Sequence, residues 1–275
     1  MDGTAVKSAF VLLSPKVTLK RTISFMTGKG SVNHNSRKFH AKNTDPERSY
    51  LNVEYCNENI RDVYRELFDE ALARYNEKQT RKDRRIEDYY EKIRSGKQEK
   101  PFHEIILQVG NKDDMHTGSD EGELAVEILE EYMTGFRERN PQLRVFSAHL
   151  HMDEATPHLH IDFIPFTTGS KRGLETRVSL KQALAAQGFQ GGSRGDTEWN
   201  QWVRSEKDQL SLVMQRHGIE WEKKDTHEKH LSVLDYKKEQ RAKEIAALEA
   251  TKTAKEGEVA EQEQRLKELA PAVKN

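Results

Sequence analysis

The chain has little of what several protein classes require. A single cysteine, Cys56, among 275 residues excludes a disulfide framework within the chain and fits a reducing, cytoplasmic setting. No apolar run approaches the roughly 20 residues that a membrane-spanning helix needs, so no membrane insertion is expected. "SAFVLLS", near the start, is too short to span, and no small-residue cleavage site follows it. Neither charge is in excess: the net charge is −1, which argues against a uniformly basic nucleic-acid binder. No internal repeat is present. Hydrophobic residues make up 35% and charged residues 33%, so part of the chain is expected to pack on nothing. One absence is local. From Lys7 to Lys42 there is no acidic residue, while lysine and arginine recur. Such a stretch can bind phosphates although the whole chain is neutral.

Periodicity divides the rest. Arg21–Met26 reads as a strand. The long segment that follows, through Ser49, is basic, contains glycine and has no period; a loop of that length in a compact domain is functional or disordered. Tyr50–Tyr55 reads as a second strand. From Asn59, the residues Ile60, Val63, Tyr64, Leu67, Phe68, Ala71, Leu72 and Tyr75 trace one helical stripe. Its charged continuation is expected to project from the core and end near Gly96. Phe102–Gly110 is a strand, and Glu121–Arg139 an amphipathic helix broken by Asn140-Pro141. "RVFSAHLHM" and "PHLHIDFIPF" are two strands joined by "DEATP". A short helix around Ser179–Ala186 and a helix from Trp199 to His217 follow, the latter capped by Asp196 or Thr197. From about Tyr236 the chain is a charged helix. Its heptad row, Ile245, Val259 and Leu266, is interrupted by Lys252. The expectation is an α+β fold with a central antiparallel sheet flanked by helices and a charged C-terminal helix. Residues 1–18 are expected to be a disordered extension, 19–222 one domain, and 223–275 a linker and a coiled-coil-like tail.

Four of the eleven histidines fall within "HLHMDEATPHLHID", His149–Asp162. Alternate residues of a strand share a face. His158, His160 and Asp162 point one way, Leu159, Ile161 and Phe163 the other. In the preceding strand Ser147, His149 and His151 share a face, and Phe146, Ala148 and Leu150 are assigned to the opposite one. A hairpin brings His151 beside His158, with His160 one pleat further on. Three neutral imidazoles at one point make a divalent-metal site with positions left for water or substrate. Glu154, in the turn, is placed to orient a ligand or handle a proton; His149 suits a supporting or DNA-facing role. A cupin also uses H-x-H on a strand, but a glutamate should follow closely and none does. An amidohydrolase uses H-x-H near the start of a barrel, and too little chain follows here.

The hairpin, His151-Met-Asp153-Glu154-Ala-Thr156-Pro157-His158-Leu-His160, resembles the H-x-D-E-x-T-P-H-x-H motif of the MobV (Pre/Mob) relaxases, enzymes of plasmid mobilisation and plasmid recombination within the HUH endonucleases. "HNSR", His34–Arg37, is similar to the family's H-N-x-R motif. "NTDPERSYLN", Asn43–Asn52, is similar to its second motif. The order and approximate spacing agree, and the resemblance covers roughly residues 20–220. It implies an HUH-type antiparallel sheet carrying a three-histidine metal, with manganese expected and magnesium as the alternative. It implies strand-specific nicking of single-stranded origin-of-transfer DNA, attachment to the 5′ end and later rejoining. The histidine of H-N-x-R is the nucleophile of characterised members, which here is His34.

Around that reading, Arg37, Lys38 and Arg48 are near enough in sequence to hold a DNA backbone. Asn35 and Asn52 are candidates to read bases or orient His34. Lys171, Arg172, Arg177 and Arg194 lie in loops after the hairpin, with glycines that allow close approach to phosphates. Tyrosine is the usual HUH nucleophile, so Tyr50, Tyr55, Tyr89 and Tyr90 are rivals to His34. Two alternatives remain. One is a rolling-circle replication initiator with a tyrosine nucleophile; the other is a DNA-binding protein whose histidines hold a structural metal. Expected partners are origin DNA, the conjugative coupling machinery, and a second copy through weak pairing of the C-terminal helix.

Overall fold

A computed structural model describes residues 19–224 and 233–269; the extension expected at residues 1–18 lies outside the described residues. In chain order, β1 (Leu19–Arg21) and β2 (Ile23–Thr27) lead into a long connection. It holds one helical turn, α1 (Val32–Asn35), and a 3-10 helix, Pro46–Leu51, before β3 (Val53–Asn57). Then come α2 (Ile60–Glu77), α3 (Tyr89–Ser95), β4 (His103–Val109), α4 (Asp120–Thr134), α5 (Phe136–Arg139), β5 (Leu143–His151) and β6 (His158–Thr167). The chain continues through β7 (Arg177–Val178), α6 (Leu180–Ala186), α7 (Glu198–Arg216), β8 (Ile219–Trp221) and α8 (Val233–Leu269). Two compact units divide the chain, with the boundary between Lys224 and Asp225.

The sheet order is β2-β4-β6-β5-β3, antiparallel throughout, with β7 added at the end of β6. β1 pairs in parallel with β8. One sheet face carries Ile23, Phe25, Ile105, Leu107, Val109, Ala148, Leu150, Leu159, Ile161 and Phe163, and it is buried under the apolar sides of α4, α6 and α7. Each fully buried large side chain there adds about 1.5–3 kcal/mol. The one carboxylate in this layer, Glu206 on α7, is fully partnered. It accepts from Tyr132 Oη at 2.5 Å, Arg139 at 3.2 Å and Asn140 Nδ2 at 3.0 Å, while Trp202 donates to Asn140 Oδ1 at 2.7 Å. Satisfied in this way, the network joins α4, α5 and α7 without leaving a bare buried charge.

The opposite face is split along the length of the strands. At one end a second core cluster, including Val63, Phe68, Tyr89, Phe146 and Ile164, packs beneath α2 and α3. At the other end stand the histidines. Phe146 belongs to the histidine side of the sheet, not with Leu150 as strict alternation assigns it. The register of β5 shifts between Val145 and Ser147, and the extra residue of a bulge changes which face a side chain takes.

Two further expectations are corrected. The helix beginning at Ile60 stops at Glu77 rather than running to Gly96. Asn76 closes the turn by exchanging hydrogen bonds with Ile86, at 2.7 and 2.9 Å, so α3 folds back and Tyr89 enters the core. Tyr50 and Leu51 lie in the 3-10 helix, not in a strand. Asp45 caps that helix by accepting from the Glu47 amide at 3.0 Å, and Pro46 starts it. Of the two caps expected for α7, Thr197 serves, accepting from the Asn200 amide at 3.2 Å, and Asn59, Ser119 and Ser179 cap α2, α4 and α6.

Candidate functional site

Antiparallel pairing sets His151 opposite His158 and His149 opposite His160. The ring centroids of His151, His158 and His160 are 4.6–5.2 Å apart. Each ring is held by an acceptor behind it. His151 Nε2 lies 2.8 Å from the Asn35 carbonyl, His158 Nδ1 lies 2.8 Å from the Thr156 carbonyl, and His160 Nδ1 lies 2.7 Å from Glu104 Oε1. Carbonyls and an ionised carboxylate only accept, so each of these ring nitrogens carries the proton. The lone pairs are therefore left on His151 Nδ1, His158 Nε2 and His160 Nε2. Burial adds to this by disfavouring the imidazolium. It pushes His160 down to about 4, with the neighbouring histidines opposing protonation further and Glu104 partly offsetting the shift. His151 falls lower still, again through burial first.

Behind His160 stands a buried carboxylate that the sequence does not single out. Glu104, on β4, is 4% exposed. Besides His160 it accepts from the Gly30 amide at 2.6 Å and from Asn35 Nδ2 at 2.8 Å. Burial alone would raise its pKa, but these donors, His160 first, hold it below the ordinary value. Asp162 lies opposite on β6 and is fully buried. Burial, then the charge of Glu104, raises it to about 7. Gly28 fits only because it has no side chain: a Cβ there would overlap the Glu104 carboxylate. The available signal was a glutamate directly before the apolar run Ile105-Ile106-Leu107 of β4, at a strand position where an unpaired charge is rarely buried.

The connection between β2 and β3 returns over this end of the sheet. Its ring His34 lies 5.9 Å from His151 and 6.0 Å from His160 between centroids. Arg37 secures it. The guanidinium donates to Asp153 Oδ2 at 2.8 Å, to Asp153 Oδ1 through a second, shorter bond, and to Glu154 at 3.0 Å. It also reaches His34 Nε2 at 3.2 Å. Arg37 has a φ of 51°, the one positive value at a non-glycine residue among the described residues. That conformation costs on the order of 1–3 kcal/mol and persists only where the surroundings impose it; the buried carboxylate of Asp153 does so here. Burial opposes that carboxylate's charge, but the Arg37, Ser49 and Asn52 hydrogen bonds outweigh it and hold the group well below the usual range. His34 is lowered from its ordinary value by burial and then by the Arg37 charge, which favours the neutral ring.

The ligand atoms close up in two groups that divide the expected set of His151, His158 and His160, with His151 in both. Ligand atoms of His34, His151 and His160 lie within 4.8 Å of one another, and so do those of His151, Glu154 and His158. His149 is buried, and its Nδ1 is 3.8 Å from Glu54. Lys38 is exposed beside the site. Other assignments change. Asn35 is 1% exposed, with its amide donating to Glu104 and Asp162, so it orients the α1 turn and does not read bases. Asn52 accepts from the Met152 amide at 2.7 Å and braces the hairpin. Arg48 bonds Asp45 at 2.9 Å. Lys171, Arg172 and Arg177 follow the far end of β6. At about 3.3 Å per residue the strand carries them some 20 Å or more from His160. Arg194 sits between α6 and α7, against the opposite face. Among the rival tyrosines, Tyr89 is buried, the Tyr55 hydroxyl is enclosed without a partner, and Tyr90 packs on Tyr64 beneath Arg61.

The donor set suits a divalent ion. His151 Nδ1 and His160 Nε2 are buried without a protein partner, a costly state for polar atoms unless a ligand takes the lone pairs. The sequence model of the plasmid recombination enzyme family (Mob_Pre) matches residues 53–238. That span contains the hairpin and leaves out His34 and Arg37. No curated protein matches the chain. Similar solved structures include two Mn-bound crystal structures of the MobM relaxase domain with 22-nucleotide oriT DNA of plasmid pMV158. The one at pH 5.5 shares 24% identity over 79% of this chain and 98% of that one, with a TM-score of 0.48. The one at pH 4.6 shares 23% over 79% and 99%, with a TM-score of 0.49.

Proposed function

The chain belongs to the plasmid recombination enzyme family, and from that premise we propose that it is a metal-dependent relaxase. It nicks one strand of single-stranded origin-of-transfer DNA, stays joined to the 5′ end through His34, and later reseals the break. The observation that carries this reading is the placement of His34: a neutral ring set beside the histidine cluster, with Arg37 3.2 Å from its Nε2. Arg37 can only donate, so Nε2 holds the lone pair.

His151, His158 and His160 would hold one ion, manganese by the preference of imidazole donors over magnesium, with Glu154 within reach of the same cluster. When bound, the ion neutralises the scissile phosphate and polarises it toward attack. The chain's own groups do the rest. The incoming phosphate takes over the Arg37 donor that now faces His34, leaving Nε2 to attack phosphorus. The P–N bond forms as the P–O3′ bond breaks. The imidazole loses its Nδ1 proton as the 3′ oxygen gains one, so the step consumes no net proton. The phosphoramidate keeps the bond energy for rejoining. Lys38 and Arg48 supply backbone contacts, and the coupling machinery would act on the DNA-joined form.

The test is incubation with oligonucleotides from the element's own candidate origin, with and without Mn²⁺, followed by denaturing gels. A DNA adduct that forms only with metal, is released by mild acid and is lost in His34→Ala is the expected result. An acid-stable adduct mapping to a tyrosine would instead place the chain with the replication initiators. Metal-dependent binding without cleavage would leave only a DNA-binding role.

A further inference from the structure

Among the described residues outside α8, two large aromatic side chains are exposed, Phe39 at 51% and Tyr50 at 81%. Both lie in the segment between β2 and β3 that carries His34. Elsewhere the aromatic rings of this unit are buried or half-buried against one another. An exposed ring on a mobile loop needs no explanation, but Tyr50 stands on anchored backbone and Phe39 stands against the His34 ring. The backbone around Tyr50 is tied to the histidine hairpin at three points. The Asp45 amide donates to the Asp153 carbonyl at 2.7 Å, Ser49 Oγ donates to Asp153 Oδ2 at 2.7 Å, and Asn52 accepts from the Met152 amide at 2.7 Å. Phe39 sits 5.9 Å from the His34 ring, centroid to centroid, directly after the Arg37–Lys38 pair.

We propose that Phe39 and Tyr50 are stacking platforms for two unpaired bases of the DNA strand, on either side of the phosphate that His34 attacks. The inference rests on the reading of this site as a single-strand nicking centre and adds the part of the substrate that the histidines do not touch. Every base presents a π-face, so an aromatic ring held flat to solvent binds it whatever its identity, while cations track the backbone. The neighbouring cations are Lys38, Lys42 and Arg48. A duplex hides these base faces, so the arrangement selects unpaired DNA over paired DNA. It also fixes the register of the strand: with a base seated on each ring, the intervening phosphate is the one presented to His34.

The test compares two fluorescent probes on the full chain in Mn²⁺ buffer. One is single-stranded homothymidylate; the other is a strand of equal length with every base replaced by an abasic tetrahydrofuran unit. The intact protein should bind the first more tightly. Tyr50→Ala and Phe39→Ala should each lose roughly 5- to 150-fold of affinity for homothymidylate and leave the affinity for the abasic strand unchanged. Lys38→Ala should weaken both probes equally, as a phosphate contact does. Tyr50→Phe keeps the ring and should bind both probes as the parent does. Circular dichroism melts check that the variants fold. Equal binding of both probes by the parent, an unchanged base preference in both alanine variants, or a Tyr50→Phe protein that loses the preference for homothymidylate would each overturn the proposal while leaving the nicking reading to its own assay. A parent that binds neither probe and nicks nothing would remove the nicking reading itself.

Discussion

Glu104 and Asp162 face each other across β4 and β6, and the side-chain amide of Asn35 donates to both, at 2.8 and 3.0 Å. Two buried carboxyls so close do not both ionise cheaply. Glu104 takes the charge because His160, Gly30 and Asn35 donate to it; Asp162 keeps a proton up to about pH 7. A raised folded pKa favours the folded state below the unfolded value near 3.8, and that advantage is lost as pH rises through about 7. Asp162→Asn should therefore stabilise the metal-free protein at pH 8, by about 2–4 °C in Tm for each kcal/mol of charge burial relieved. The difference should shrink toward pH 4. Thermal melts of both proteins across that range decide it, and a pH-independent difference would refute the assignment.

Glu104→Gln probes the histidine tautomer. The amide can turn its NH₂ toward His160, which then accepts at Nδ1 and carries its proton at Nε2, the atom needed for the metal. Mn²⁺ affinity should fall roughly 10- to 100-fold, the usual cost of losing a carboxylate behind a ligating histidine. Titration followed by Mn²⁺ paramagnetic resonance measures this without any cleavage assay. His160→Ala should lose both binding and nicking. Gly28→Ala, which crowds the same carboxylate, should move in the direction of Glu104→Gln.

How much of this was legible depended on the kind of contact. The hairpin alternation gave the positions of His151, His158 and His160, because strand period and turn chemistry are local. The bulge beside Phe146 is not local: nothing in "RVFSAH" marks where β5 slips against β6. Glu104 lies nearly fifty residues before the hairpin and entered the site only through strand order, which periodicity does not encode. Of the two roles the sequence offers Asn35, its contacts agree with orienting the His34 turn and not with reading bases, for a related reason. The motif places the residue next to His34 in sequence, but on the α1 turn its side chain points into the sheet and not toward solvent. Lys171 and Arg172 follow the hairpin in sequence, yet the length of β6 beyond His160 separates them from the histidines.

Arg37→Lys should be far from conservative. Lysine cannot reproduce the fork that spans both Asp153 oxygens and Glu154, and it inherits the positive φ. Removing the arginine leaves Asp153 buried and charged without its partner, a loss of about 3–5 kcal/mol for such pairs. Asp153 owes its depressed pKa first to overcoming burial through Arg37. In the parent, that stabilisation is present above pH 4 and disappears as pH falls through the folded pKa. The variant should thus lose stability most at neutral pH and least in acid. Chemical denaturation at pH 7 and at about pH 2, well below the unfolded carboxylate value, checks the sign, and nicking should fall with loss of the His34 position.

The last expectation concerns α8. Every side chain described on this 37-residue helix is exposed, including Ile245, Leu248 and Val259. Its support is local: Lys252 and Glu256 approach to 3.7 Å at one-turn spacing, a pair worth about 0.2–0.5 kcal/mol in a helix. A helix that buries none of its described side chains adds nothing to a core by the area rule. The nicking unit is accordingly proposed to end near Lys224. Removing residues 225–275 should leave the melting temperature of the remainder and its metal affinity unchanged, and oligonucleotide nicking within a few-fold of the intact chain. The intact chain should be monomeric or weakly dimeric by sedimentation. Lys252, at a heptad position, sets a charge in the seam that a second copy would have to bury. A truncated protein that folds and binds Mn²⁺ but no longer nicks would place α8 in the active unit and move the boundary.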